Sequence, residues 1–187
     1  MRKMIASDLQ LNGYGITMRR LSRDKIELLR QWRNDPKIRQ YMIYQDYITP
    51  EMQIKWFEKI NNNNNLYFII EDSGHDVGMI NVKDIDYSNG IGEGGIFIYE
   101  DRLLNTDFAY RAHILLFDYV FNEIGLNGIL SEIQSTNERA IRFASFLGSE
   151  ITKETKECIF LMLTRDNYFN NKNRERFLKR WNYFNNK

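Results

Sequence analysis

Glu93 is the only charged residue in Gly92-Glu-Gly-Gly-Ile-Phe-Ile98, a run of strand length that is otherwise glycine and apolar side chains. If buried there, a carboxylate would hold its proton more tightly and so suit a proton-accepting role. Its other reading is an outward-facing or satisfied structural carboxylate. Downstream, Leu103-Leu-Asn-Thr-Asp-Phe-Ala109 leads into a helical pattern, so an anion bound there would meet the unpaired amides of a helix start. Other reactive side chains are scarce. Cys158 lies in the alternating run Glu157 to Leu163 and reads as a strand residue rather than a catalytic thiol. His75 falls in the turn Ser73-Gly-His-Asp76 and His113 inside a helix, so neither a two-histidine metal centre nor a Ser-His-Asp triad is expected, and no metal is assigned.

The elements around these residues follow from periodicity. Tyr14 to Leu21 alternates enough for a first strand, and Arg23 to Trp32 follows as a helix that Pro36 stops. Thr49-Pro50 caps a second helix with Ile54, Trp56, Phe57 and Ile60 on its apolar side. Leu66 to Ile70 and Val77 to Val82 form a hairpin through Asp72-Ser-Gly74, and Glu93 to Ile98 returns antiparallel. A helix then spans Asp107 to Ile124, with Phe108, Ala112, Leu115, Leu116, Tyr119 and Val120 on one face. Next come a strand over Gly128 to Gln134, a helix from Asn137 to Phe146, and strands near Glu150 to Lys153 and Cys158 to Leu163. Thr136 or Asn137 is the N-cap of that helix and Gly148 its stop. The fold class is α+β with a mixed, mostly antiparallel sheet. Asn61 to Asn65 reads as a solvated loop.

At 187 residues the chain fits one domain, 1–164, with a tail over 165–187 whose Phe177, Leu178, Trp181 and Phe184 lie at helical spacing among basic residues. The tail is expected to pack those aromatics onto the body, or to touch a partner or a second subunit in a homodimer. Lys and Arg total 26 against 25 Asp and Glu, a net charge of +1, which offers no electrostatic grip on nucleic acid or an anionic membrane. Met1 to Gln10 has no apolar core of signal-peptide length, and no run approaches the roughly 20 apolar residues of a membrane span. The expectation is a soluble cytoplasmic protein.

The order and spacing of several short motifs resemble the GNAT superfamily of acyl-CoA-dependent N-acetyltransferases, with a pattern "A-E-x-G-I-x-I … G-x-A … L-D-Y-A-F … G-L … S-x-N-x-R-A-I-R … L-G-F". The matching residues are Gly92 to Ile98, Phe108-Ala109, Phe117-Asp-Tyr-Val-Phe121, Gly125-Leu126, Asn137-Glu-Arg-Ala-Ile-Arg142 and Leu147-Gly148. Upstream, Leu29-Arg-Gln-Trp-Arg-Asn-Asp-Pro-Lys-Ile-Arg-Gln-Tyr-Met42 is similar to the opening of the branch holding ribosomal-protein N-terminal acetyltransferases and the amino-sugar acetyltransferase of pseudaminic acid synthesis.

The resemblance implies a GNAT-like sheet splayed after the strand of Glu93 to Ile98, with acetyl-CoA as co-substrate. By that likeness Ile96, Phe97 and Ile98 hold the pantetheine arm and acyl carbonyl, while Asn105, Thr106, Asp107, Phe108 and Ala109 receive the phosphates. Asn137 joins the cofactor set, Trp32, Arg33 and Met42 form the acceptor side, and Glu93 is the catalytic candidate. The implied partner is a small-molecule primary amine, foremost that of a nucleotide-linked amino sugar; an N-terminal protein or aminoglycoside acetyltransferase is the alternative. Two positions depart from the pattern. Asp107 stands where the phosphate turn usually has glycine, and its carboxylate would repel a phosphate or serve only as a helix cap. Ala144 stands where many relatives place a tyrosine acid, and Ser149 where they place phenylalanine. These departures leave open a catalytically reduced binding or regulatory protein.

Overall fold

A computed structural model describes residues 6–185. Eight strands form one sheet: β1 (Gln10–Gly13), β2 (Ile16–Arg20), β3 (Leu66–Asp72), β4 (His75–Asp86), β5 (Ile91–Ile98), β6 (Gly128–Gln134), β7 (Glu150–Glu154) and β8 (Cys158–Thr164). Their spatial order is β1-β2-β3-β4-β5-β6-β8-β7, and every pairing is antiparallel except that of β5 with β6. The helices are α1 (Ile26–Asn34), α2 (Pro36–Arg39), α3 (Pro50–Ile60), α4 (Phe108–Tyr119), α5 (Glu138–Phe146), α6 (Arg165–Phe169) and α7 (Lys172–Asn185).

Two apolar clusters show how the layers assemble. On one face of the sheet, Leu29 and Trp32 of α1, Ile38 of α2 and Phe57 of α3 pack on Tyr67, Ile69, Met79 and Phe97. On the other, α4 is buried on nearly all sides, with Phe108, Tyr110, Ala112, His113, Ile114, Leu116 and Phe117 all enclosed. The single apolar face assigned from sequence is therefore too narrow. α4 lies between the sheet below and the aromatic side chains of α5, α6 and α7 above. It ends in a π-helical turn, Val120–Ile124, closed by Gly125 at φ +81°.

Local chemistry sets the remaining boundaries. The first strand expected over Tyr14 to Leu21 is instead a hairpin, β1 and β2, turning at Tyr14 and Gly15 with φ of +54° and +69°. Pro36 does end α1, and it also begins α2 at a first-turn position, under the Asp35 cap. Thr49 Oγ1 caps α3 by accepting from Met52 N–H, yet Ile54 is exposed and Gln53 takes the buried position beside Phe57. The asparagine run is a loop with Asn61 and Asn62 exposed, as expected, but its far end is held against the sheet. Asn65 is buried, its Oδ1 accepts from Asp84 N–H at 3.1 Å, and Asn64 Nδ2 donates to Ile85 O at 3.0 Å.

Beyond β8, α6 inserts fully buried Tyr168 into the main core, and α7 lays Phe177 and Trp181 against Tyr14. Phe184 remains 64% exposed, so it does not join the packed aromatics as its spacing implied. Among the described residues no helix is long and apolar enough to cross a membrane.

His113 is enclosed by Phe117 and Phe143, with Nδ1 2.8 Å from the Ala109 carbonyl, and burial lowers its pKa to about 4 from 6.5. An unfolded histidine takes up its proton near pH 6.5 and the folded one resists until about 4, so stability is retained above 6.5 and lost as pH falls. This residue should make the protein about 2 kcal/mol less stable at pH 5 than at pH 7. Urea titrations at the two pH values check it, and His113→Gln should remove most of that difference.

Candidate active site

β5 holds both neighbours over only part of its length. Its parallel register with β6 consists of Ile91 with Gly128, Gly92 with Ile129 and Glu93 with Leu130, whereas its pairing with β4 continues to Ile98. Beyond Glu93, β6 instead follows β8 through Gln134 with Cys158. The sheet is thus split into a V whose arms are Gly94 to Ile98 and Ser131 to Gln134. At its base the strands are pressed together, since a Cβ on Gly94 would lie 2.7 Å from Ile129 Cγ2.

Hydrogen-bond alternation says which groups face the opening. Tyr99 N–H donates to Val77 O, so in an antiparallel ladder Phe97, Gly95 and Glu93 turn their N–H groups to β4. Ile96 and Ile98 then direct theirs into the V. Of the three residues expected to hold the pantetheine arm, Ile96 and Ile98 have backbone donors at the gap, while the backbone of Phe97 points the other way and its side chain joins the α1–α3 cluster.

The turn before α4 brings together Asn105, Thr106, Asp107, Phe108 and Ala109. Asn105 takes φ +64°, and Thr106 Oγ1 donates to Leu103 O at 2.7 Å while accepting from Phe108 N–H at 3.2 Å. The first full helical bond runs from Arg111 N–H to Asp107 O, leaving the amides of Ala109 and Tyr110 in the first turn, at the positive end of the α4 dipole. The Asp107 carboxylate makes no cap bond. It runs along the helix to Arg111, 3.0 Å from Nε, and Arg111 also donates to Tyr14 O at 2.8 Å. Its charge is offset by Arg111 rather than presented to a phosphate. If acetyl-CoA binds at this turn, as the resemblance implies, Asp107→Gly should tighten its binding about threefold to tenfold by freeing Arg111. Isothermal titration tests this, and weaker binding would mean that the Asp107–Arg111 pair orders the turn.

Glu93 projects on the face covered by α1 and α3, beside Phe97 and Tyr99 in the strand alternation. It is not sealed in apolar surroundings as the strand pattern implied: its side chain is 34% exposed and pairs with Lys83 Nζ at 2.8 Å. Lys83 lies directly opposite on β4, and Leu130, across the parallel pair, is exposed as well. Trp32 is core, stacked on Tyr99 at 5.3 Å and edge-on to Phe97. Met42 packs at the margin of the same cluster, and its carbonyl accepts from Gln134 Nε2 at 2.6 Å, tethering the loop after α2 to the end of β6. Under that loop lies an open cleft of ≈ 340 Å³ lined by Ile43, Gln134, Thr136 and Cys158. Asn137 Oδ1 caps α5 by accepting from Ala140 N–H at 3.2 Å. Ala144 is buried in α5, and the described residues include no cluster of three or more histidine, cysteine or acidic residues placed to hold a metal.

A split mixed sheet with a helix start at the mouth of the split defines an acyltransferase of the GNAT fold, and the chain belongs to that family: its residues 16–150 match the acetyltransferase (GNAT) domain model. It is similar to the spermidine N(1)-acetyltransferase of Escherichia coli K12, 23% identical over 151 residues that cover 80% of this chain and 81% of that one. Identity is also 23% with the N-acetyltransferase p20 of Bacillus licheniformis, over 71% of this chain and 77% of that one. Among solved structures, the spermidine N-acetyltransferase of Vibrio cholerae in complex with CoA and spermine superposes with a TM-score of 0.76 at 19% identity, covering 84% of this chain and 100% of that one. The named spermidine enzymes are not of the ribosomal-protein or pseudaminic-acid type that the Leu29 to Met42 opening resembles.

Residues that sequence reasoning passed over are Lys83, Arg111, Gln53 and Tyr67. Asp107 and Arg111 stand at i and i+4, so that pair was open to reading from spacing. Lys83 needed the register of β4 against β5, and nothing in the local pattern of α3 marks Gln53 as buried.

Proposed function

We propose that the protein transfers the acetyl group of acetyl-CoA to a small-molecule primary amine. The observation that carries this is the V between β5 and β6, with the Ile96 and Ile98 amides turned into it. Those amides would polarise the thioester carbonyl and receive the oxyanion that forms when the amine nitrogen attacks. As the C–S bond breaks, sulfur leaves as a thiolate and takes a proton, and the new amide nitrogen gives one up. Asn105 to Ala109 would hold the diphosphate on first-turn amides. Glu93, with Lys83 against it, is the proposed acceptor of the amine's proton, and Asn137, Trp32, Arg33 and Met42 would complete the walls. With alanine at position 144, water would protonate the thiolate.

For the acceptor, the Leu29 to Met42 opening supports the amine of a nucleotide-linked amino sugar. A polyamine is the second reading, supported by the spermidine enzymes named above. Isothermal titration with acetyl-CoA, followed by thiol release with amino sugars, spermidine and peptides, tests the proposal. No binding at millimolar acetyl-CoA would end it, and binding without thiol release from any amine would leave a regulatory protein on an acetyltransferase fold.

A further inference from the structure

Among the described residues four buried side-chain atoms have no hydrogen-bond partner, and two of them, Arg33 Nε and Gln53 Nε2, are donors on the helices covering the Glu93 face. Asn34 grips Ile48 through both polar atoms, donating to its carbonyl and accepting from its N–H at 2.8 Å each. That clamp sets the start of α3 against the last turn of α1, so Arg33 and Gln53 lie at the same end of the helix pair.

Arg33 makes no ion pair among the described residues. The ionisable group beside it is the Tyr67 phenol, which burial keeps neutral by raising its pKa, and Arg33's own burial lowers the pKa of its guanidinium. The carboxylate nearest the gap on this face, Glu93, is already matched to Lys83. Tyr67, Asn81 and Gly95 are cross-strand neighbours in one row leading from Arg33 to the V. At about 4.8 Å per strand, Tyr67 sits roughly 10 Å from Gly95. The row stays low at its inner end, because the Asn81 amide lies 3.1 Å from where a Cβ on Gly95 would be.

A buried Arg33 Nε and a buried Gln53 amide donor, both unmatched, are costly unless a ligand supplies acceptors. We infer that the acceptor amine carries an anionic oxyacid group, phosphate or carboxylate, which Arg33 binds with Gln53 as a second donor. The inference rests on the acetyltransferase reading above and refines its acceptor. A guanidinium fork matches either oxyanion in bidentate fashion. It also repels a polycation, because none of the described acids pairs with it.

The test uses the full chain, acetyl-CoA and four amines: glucosamine 6-phosphate, muramic acid, neutral glucosamine and spermidine. At least one of the two anionic sugars should exceed glucosamine in kcat/KM by about tenfold or more, mainly through KM, and which one does so separates phosphate from carboxylate. Arg33→Gln should collapse that ratio, with Arg33→Lys restoring part of it. Wild-type preference for spermidine, or a ratio unmoved in Arg33→Gln, overturns the inference while leaving acetyl transfer intact. If acetyl-CoA binds and no amine is turned over, the transfer reading fails instead. Titration of glucosamine 6-phosphate and muramic acid into the CoA-bound protein then decides: binding that depends on Arg33 upholds anion recognition, and its absence removes it.

Discussion

Ile96→Pro is expected to lower kcat/KM for acetyl-CoA about a hundredfold while leaving the protein folded, the scale of losing one preorganised donor to a developing oxyanion. Proline removes an N–H, and at Ile96 that N–H faces the V rather than β4, so the ladder to Ile80 loses nothing. The companion change one residue along has the opposite outcome. Phe97→Pro strips a donor from the β4–β5 ladder and a buried ring from the α1–α3 cluster, and should abolish folding. Circular dichroism and thiol release on both variants give the answer. An Ile96→Pro enzyme with unaltered kinetics would show that the acyl group lies elsewhere.

The second large effect is on stability. Asp118 collects Arg174 at 2.7 Å, the Tyr168 hydroxyl at 2.8 Å and the Tyr14 hydroxyl at 3.1 Å, joining α4 to α6, α7 and the β1–β2 turn. Burial, reinforced by this carboxylate, pushes the Tyr14 pKa up to about 12 and raises that of Tyr168 as well. Asp118→Ala leaves a mostly buried guanidinium without its carboxylate and the Tyr14 hydroxyl unmatched, with Tyr168 keeping only the Ile114 carbonyl at 3.3 Å, and should destabilise the protein by about 3 kcal/mol. Asp118→Asn should recover part of that. Urea denaturation reads both, and a loss under about 1 kcal/mol would reduce the cluster to an ordinary surface pair.

Much of this architecture was legible beforehand where pattern and punctuation agree. The strand Gly128–Gln134 and the helix bounded by Asn137 and Gly148 stand where apolar runs and caps placed them. β1 escaped because Gln10–Gly13 is a short, half-exposed edge strand without an apolar face, so only its partner shows a pattern. α4 misled in the opposite sense, since a helix covered on nearly all sides has no polar stripe to define its apolar one. At the site, the turn before α4 and the Glu93 strand were visible because glycine and helix-start chemistry are local. The Lys83 partner of Glu93 and the buried placement of Gln53 depend on register and helix docking, which are long-range.

The V between β5 and β6 also bears on why turnover would need little rearrangement. β5 is paired with β4 without a break from Glu93 to Ile98, so the residues carrying the Ile96 and Ile98 amides are held by a completed ladder on their far side and denied one on the near side. Leaving them without a ladder partner on the V side is a cost accepted once, when the chain folds. Among the described residues no strand pairs with them on that side, so none has to peel away before a carbonyl arrives, and the donors are already oriented in the resting scaffold.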